Sequence, residues 1–243
     1  MFQAFLYGSI SALALVIGAV LGVYAKWSQK IIAAVMAFGS GTLICALTFG
    51  LMDEAYHKSS LLIVAFGFFG GGVIFLAGNY LLSIFGGRRH RLRQSVKPLK
   101  EASGSLIVLG ALLDGIPESI ALGVALFTGT SQGILILVAL FLSNLPESLS
   151  SVPGLLREGF TQKRILLMWG VVALVTALMT VFSYYFFNNI DLAVAGLIEA
   201  LAAGAILAMI SDAMIPEAYL EGGPVIGLLT VLGFLVSFIL SRF

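Results

Sequence analysis

Apolar residues run through this chain in stretches too long and too continuous for the alternation of a half-buried strand or the single stripe of a surface helix. Eight stretches stand out: residues 5–24, 31–52, 61–85, 106–127, 133–156, 165–187, 192–215 and 225–240. A helix crosses a bilayer core in about 20 residues, and only the last stretch falls clearly short of that. The pattern predicts an all-α integral membrane protein, a bundle of eight transmembrane helices that forms one domain over residues 1–243.

The polar segments between the stretches orient the bundle. Assigned alternately to two sides, they put Lys26, Lys30, Arg88, Arg89, Arg91, Arg93, Lys97, Lys100, Arg157, Lys163 and Arg164 on one side and only Lys58 and Arg242 on the other. Basic residues accumulate on the cytoplasmic face, so both termini are expected to be non-cytoplasmic and the basic loop of residues 86–101 cytoplasmic. Setting topology is the simpler role for that loop, with anionic lipid head groups as the alternative ligand. Ser103 is placed to cap the fourth helix. The first stretch is longer than the apolar part of a signal peptide and no Lys or Arg precedes it, so a retained spanning helix is expected.

Composition supports this picture and narrows the function. Of 243 residues 60% are hydrophobic and 10% charged, with a mean hydropathy of +1.08, where a soluble domain carries about 25% charged residues. A net charge of +1 leaves no basic face for nucleic acid. The single cysteine, Cys45, has no partner for an internal disulfide and reads as a packed thiol. His57 and His90 both fall outside the apolar stretches, which excludes an imidazole site within the membrane.

Against that background the buried acids carry the chemistry. The fourth and fifth stretches contain matched tetrads, Ile116-Pro117-Glu118-Ser119 and Leu145-Pro146-Glu147-Ser148. A carboxylate at mid-membrane costs a few kcal/mol even on lenient scales, and a bound cation is the natural compensation. Asp114 and Glu118, four residues apart, share one helix face and can share one ion. Pro117 and Pro146 release the carbonyls of Leu113 and Leu142, which then need partners of their own. Ser143, Asn144, Ser148, Ser150 and Ser151 continue a polar flank from Glu147 along the fifth helix, read as a wet exit path.

Asp212 in the seventh stretch is a candidate to join this cluster and Glu199 a weaker one; Glu54 and Glu217 read as solvated helix ends, with Glu54 alternatively guarding an outer entrance. Gly39-Ser40-Gly41 and Gly70-Gly71-Gly72 suggest close helix packing. The second and seventh helices end alike, in Asp53-Glu54-Ala55-Tyr56 and Pro216-Glu217-Ala218-Tyr219. Aligning them also pairs Gly41 with Gly204, a sign of repeated halves.

At these residues the chain resembles the ZIP family (Zrt- and Irt-like proteins), divalent metal transporters with a His-Asn-x-Pro-Glu-Gly-type motif on the fourth helix and a second His-Asn/Asp/Glu-x-Pro-Glu motif on the fifth. Here the motifs read Asp114-Gly115-Ile116-Pro117-Glu118-Ser119 and Ser143-Asn144-Leu145-Pro146-Glu147-Ser148. The resemblance implies a metal site between helices 4 and 5, with Asp114, Glu118 and Glu147 as primary ligands, Asn144 beside a neighbouring second site, and Ser143 and Asp212 as further candidates. It implies a divalent metal (Zn, Fe or Mn) as substrate moved towards the cytoplasm, no tightly bound cofactor, a plasma or bacterial inner membrane as location, the lipid bilayer as surroundings, and a homodimer as one compatible assembly.

Both motif histidines are replaced, by Asp114 and Ser143, the first motif's Asn is Gly115, and the sixth helix carries no acidic residue. An all-oxygen site favours harder ions such as Mn²⁺ relative to one containing His. If protons couple to transport, Asp114, Glu118 and Glu147 must carry them. The competing readings are a ZIP-like sensor or assembly subunit that does not transport, and an intramembrane aspartyl protease using Asp114 and Asp212, whose Gly-x-Gly-Asp signature is absent.

Overall fold

A computed structural model describes residues 2–84, 104–128, 130–187 and 190–242. Among the described residues every regular element is helical: α1 (Phe2–Tyr24), α2 (Gln29–Lys58), α3 (Leu61–Ile84), α4 (Gly104–Thr128), α5 (Thr130–Arg157), α6 (Gln162–Phe187), α7 (Leu192–Gly222) and α8 (Val225–Leu240). Seven of these are long and apolar enough to cross a membrane, and α8, with 16 residues, is the shorter eighth. The protein is therefore a multi-pass integral membrane protein. The basic loop with His90 and the expected cap Ser103 lie outside the described residues.

Six of the helices match the apolar stretches to within a few residues, whereas α2 and α7 run on to Lys58 and Gly222. Hydropathy reports contact with lipid, and a helix need not stop where lipid does. The last turns of α2 carry the spacing that supports a helix in water: Asp53 with His57 and Glu54 with Lys58, four residues apart and each 4.0 Å from its partner. The chain leaves α7 through Gly223 at φ 68°, a left-handed conformation that glycine adopts without strain.

Both long helices contain a π-helical turn, Leu47–Met52 in α2 and Ile210–Met214 in α7. The two turns begin at equivalent positions in the alignment that pairs Gly41 with Gly204. Packing repeats as well. A Cβ on Gly41 of α2 would collide with the Thr230 carbonyl of α8, and one on Gly233 of α8 with the Phe38 carbonyl of α2. In the same way, a Cβ on Gly204 of α7 would collide with the Phe68 carbonyl of α3, and one on Gly71 of α3 with the Leu201 carbonyl of α7. Hydrophobicity gives helices little reason to associate within lipid, so close backbone approach through small residues does much of that work. The α2–α8 and α7–α3 pairs are thus two copies of one crossing, which is the part of the repeat read from the sequence that these contacts carry.

The helices fall into two groups. Helix α1 packs on α5 and α6, and α4 packs on α5 and α6; the other group consists of the α2–α8 and α3–α7 pairs. Contacts of α5 with α2 and of α4 with α7 join the groups. The joining surface is apolar and buried, with Met36, Leu47 and Leu51 of α2, Leu122 of α4, Leu140 of α5 and Ile206 and Ile210 of α7. A second cluster around Trp169 ties α1, α5 and α6 together.

Candidate metal site

Pro117 and Pro146 both sit inside continuous helices, α4 and α5, so neither breaks its helix. The neighbours of the Pro146 turn are unusually bare. Gly39 of α2 faces it so closely that a Cβ there would lie 2.8 Å from the Leu142 carbonyl oxygen and 3.1 Å from Ser143 Cα. On its other side Gly18 of α1 faces the Leu145 carbonyl and Ser148 Oγ with no room for a side chain. Two helices thus press plain backbone against the turn that carries Asn144 and Glu147.

The acidic residues of the two motifs are all buried: Asp114 and Glu118 are each 4% exposed and Glu147 is 9% exposed. Asn144, also 4% exposed, has a fixed orientation. Its Nδ2 donates to Ser11 Oγ at 3.3 Å and to the Ser11 carbonyl at 3.4 Å. A carbonyl only accepts, so the amide nitrogen must face α1 and the Oδ1 oxygen must face away, where it has no hydrogen-bond partner. Asn144 and Glu118 line one small cavity together with Ser11, Ser119, Thr176 and Thr180, drawn from α1, α4, α5 and α6. Neither Asp114 nor Glu147 lines it.

The serines of α5 form the expected polar flank, but their protons are spent on their own helix. Ser143 Oγ donates to the Leu140 carbonyl at 3.0 Å, Ser150 Oγ to the Glu147 carbonyl at 3.1 Å and Ser151 Oγ to the Ser148 carbonyl at 2.7 Å. Ser148 Oγ reaches the Asn144 carbonyl at 3.2 Å, and Trp169 of α6 donates its Nε1 to Ser151 Oγ at 3.2 Å. Ser143 and Ser148 are buried between helices, so this part of the flank is packed against protein.

Among the described residues no three His, Cys, Asp or Glu side chains stand close enough together to hold a metal ion. Asp114, Glu118 and Glu147 are buried on two helices that touch, without forming a single group of three. Asp212 lies in the π turn of α7, exposed, and accepts a hydrogen bond from Asn79 Nδ2 of α3 at 2.7 Å.

Glu199 and Glu54 belong to a different cluster, at the end of the bundle where α2 stops and α7 starts. Glu199 is 1% exposed and its Oε1 lies 2.5 Å from Lys58 Nζ, while Glu54 Oε1 accepts from Gln132 Nε2 of α5 at 2.6 Å. The sequence reading missed Ser11, Thr176, Thr180 and Asn79. Each is a polar residue within an apolar stretch, and the four-residue spacing of Thr176 and Thr180 on one helix face was the available signal.

The arrangement is rich in acceptors and suits a cation. Residues 89–241 match a family model described as a ZIP zinc transporter. No curated protein matches the chain.

Proposed function

The chain belongs to the ZIP family of zinc transporters, as the match over residues 89–241 shows, and from that premise we propose that it carries a divalent metal towards the cytoplasm through a carboxylate site on α4 and α5. The observation that carries this reading is the burial of Asp114, Glu118 and Glu147, three acids on two touching proline-containing helices, in a protein of a family that transports divalent metals. Asp114 and Glu118 lie one turn apart and are the entering ion's first pair of ligands. Glu147 completes the set when the ion draws it in, because a divalent charge in a poorly screened interior attracts a nearby carboxylate far more strongly than it would in water.

The ligands are oxygen throughout. Removing imidazole shifts preference towards harder ions, so Mn²⁺ stands beside Zn²⁺ and Fe²⁺ as substrate. Asp212 serves, on this reading, as a secondary station on the α3–α7 side, where Asn79 orients it. Two consequences separate a transporter from a non-transporting sensor: metal must bind at these residues, and it must cross.

Binding is tested by titrating Mn²⁺ into the purified protein and following free Mn²⁺ by electron paramagnetic resonance. The expected result is saturable binding in the wild type that is lost in Glu118→Ala/Glu147→Ala, with unchanged helical circular dichroism. Equal binding by the folded double variant overturns the assignment.

A further inference from the structure

The cavity that Glu118 and Asn144 share presents acceptors and almost no donors. Ser119 Oγ gives its proton to the Gly115 carbonyl at 2.7 Å or the Thr176 carbonyl at 3.0 Å. Thr176 Oγ1 gives its proton to the Ala173 carbonyl at 3.0 Å, and Thr180 Oγ1 to the Thr176 carbonyl at 3.1 Å. The Asn144 amide protons go to Ser11. What these groups have left is lone pairs, and the Asn144 Oδ1 is buried with no hydrogen-bond partner at all. Water centres find about 10 Å³ there, which is room for about one water molecule or one small ion.

A buried cradle of oxygen acceptors around one carboxylate is matched to a hard cation of low charge. The acids of α4 and α5 set that charge. Three ionised carboxylates, Asp114, Glu118 and Glu147, neutralise a divalent ion and leave one negative charge over. A second divalent ion at the cavity would leave the pair of sites one charge positive in a poorly screened interior, whereas a single monovalent ion balances them.

We propose that this cavity between α1, α4, α5 and α6 binds one dehydrated sodium ion, coordinated by Asn144 Oδ1, the Glu118 carboxylate and the hydroxyl oxygens of α6, so that Glu118 is shared with the transported divalent metal. The proposal deepens the transport reading, since the sharing rests on Glu118 being a metal ligand. A dehydrated sodium ion is smaller than the water molecule that the cavity admits, and a carboxylate, with its concentrated negative charge, favours it over the larger potassium. The consequence for transport is a coupling between sodium occupancy and divalent affinity that runs equally in both directions.

The test measures sodium binding without any divalent ion, so that its outcome does not depend on transport. Thermal unfolding of the full chain in detergent, with a chelator present, is followed as NaCl, KCl or choline chloride is varied at constant ionic strength. The expected result is a saturable rise in Tm of about 3 °C with Na⁺ alone, because a ligand that binds only the folded form stabilises it.

Thr180→Val and Thr176→Val/Thr180→Val should flatten the sodium response while retaining the unfolding transition in choline. Equal effects of Na⁺, K⁺ and choline on the wild type mean that the cavity holds water only, and overturn the proposal. So does a sodium response that survives in both variants. If instead sodium binds as expected while Glu118→Ala/Glu147→Ala still takes up divalent metal, the transport assignment fails and the sodium site stands.

Discussion

Lys58 Nζ lies 2.5 Å from Glu199 Oε1, joining the end of α2 to a residue of α7 that is only 1% exposed. A buried carboxylate deprived of its cation keeps its desolvation cost and loses its compensation, a penalty of about 3–5 kcal/mol. Lys58→Met should therefore lower the unfolding temperature by many degrees. Lys58→Met/Glu199→Leu should regain most of the loss, since an apolar replacement of both partners removes the stranded charge. A Lys58→Met protein as stable as wild type would show that the pair contributes nothing.

The repeated helix crossing makes a paired prediction. Gly41→Leu and Gly204→Leu each place a side chain against a backbone carbonyl, of Thr230 on α8 and Phe68 on α3, where only backbone can move aside. Each should cost roughly 3 kcal/mol or more, at the severe end of overpacking, and yield little monodisperse protein. Gly227→Ala on α8, with nothing within 4 Å, is the control and should leave stability unchanged or slightly raised. Size-exclusion profiles of the three variants decide it.

Much of this architecture was legible in the sequence because lipid imposes a length rule that water does not. Each of the eight apolar stretches corresponds to a helix among the described residues, and the repeat was visible in two similar helix endings. The full lengths of α2 and α7 were not legible, since their apolar stretches stop at residues 52 and 215, and the pairing of Asp53 with His57 and Glu54 with Lys58 emerges only once all four are set on a helix. Burial of Asp114, Glu118 and Glu147 followed from their positions alone.

The share of α1 in the site did not follow. Ser11 and Gly18 are ordinary small residues of a membrane helix, and their meaning depends on which helix lies opposite. Asp212 lies in an apolar stretch as the other acids do, but it accepts its hydrogen bond from Asn79, supplied by a helix far away in sequence. Glu199, a weaker candidate from its place in the seventh stretch, pairs instead with Lys58 at the end of α2, a contact that sequence alone does not show.

The contact between α1 and the Pro146 turn gives a functional prediction. Gly18→Val drives a branched side chain into the Leu145 carbonyl and Ser148 Oγ, displacing the segment that carries Asn144 and Glu147. Transport should fall by about tenfold or more, since misplacement of about 1 Å is enough to disable a site. Gly154→Ala on α5, where a Cβ meets nothing within 4 Å, is the control and should retain most of the activity. Similar uptake by the two variants would mean that α1 does not position the site.

The most direct test of the account is flux. Proteoliposomes containing the wild-type chain are presented separately with Zn²⁺, Mn²⁺, Fe²⁺, Co²⁺, Cd²⁺ and Mg²⁺, with Glu118→Ala/Glu147→Ala as the blank. The account predicts uptake that vanishes in the double variant, with Mn²⁺ carried at least as well as Zn²⁺. Folded wild-type protein that moves none of these ions, or a double variant that moves them as fast as wild type, would contradict it.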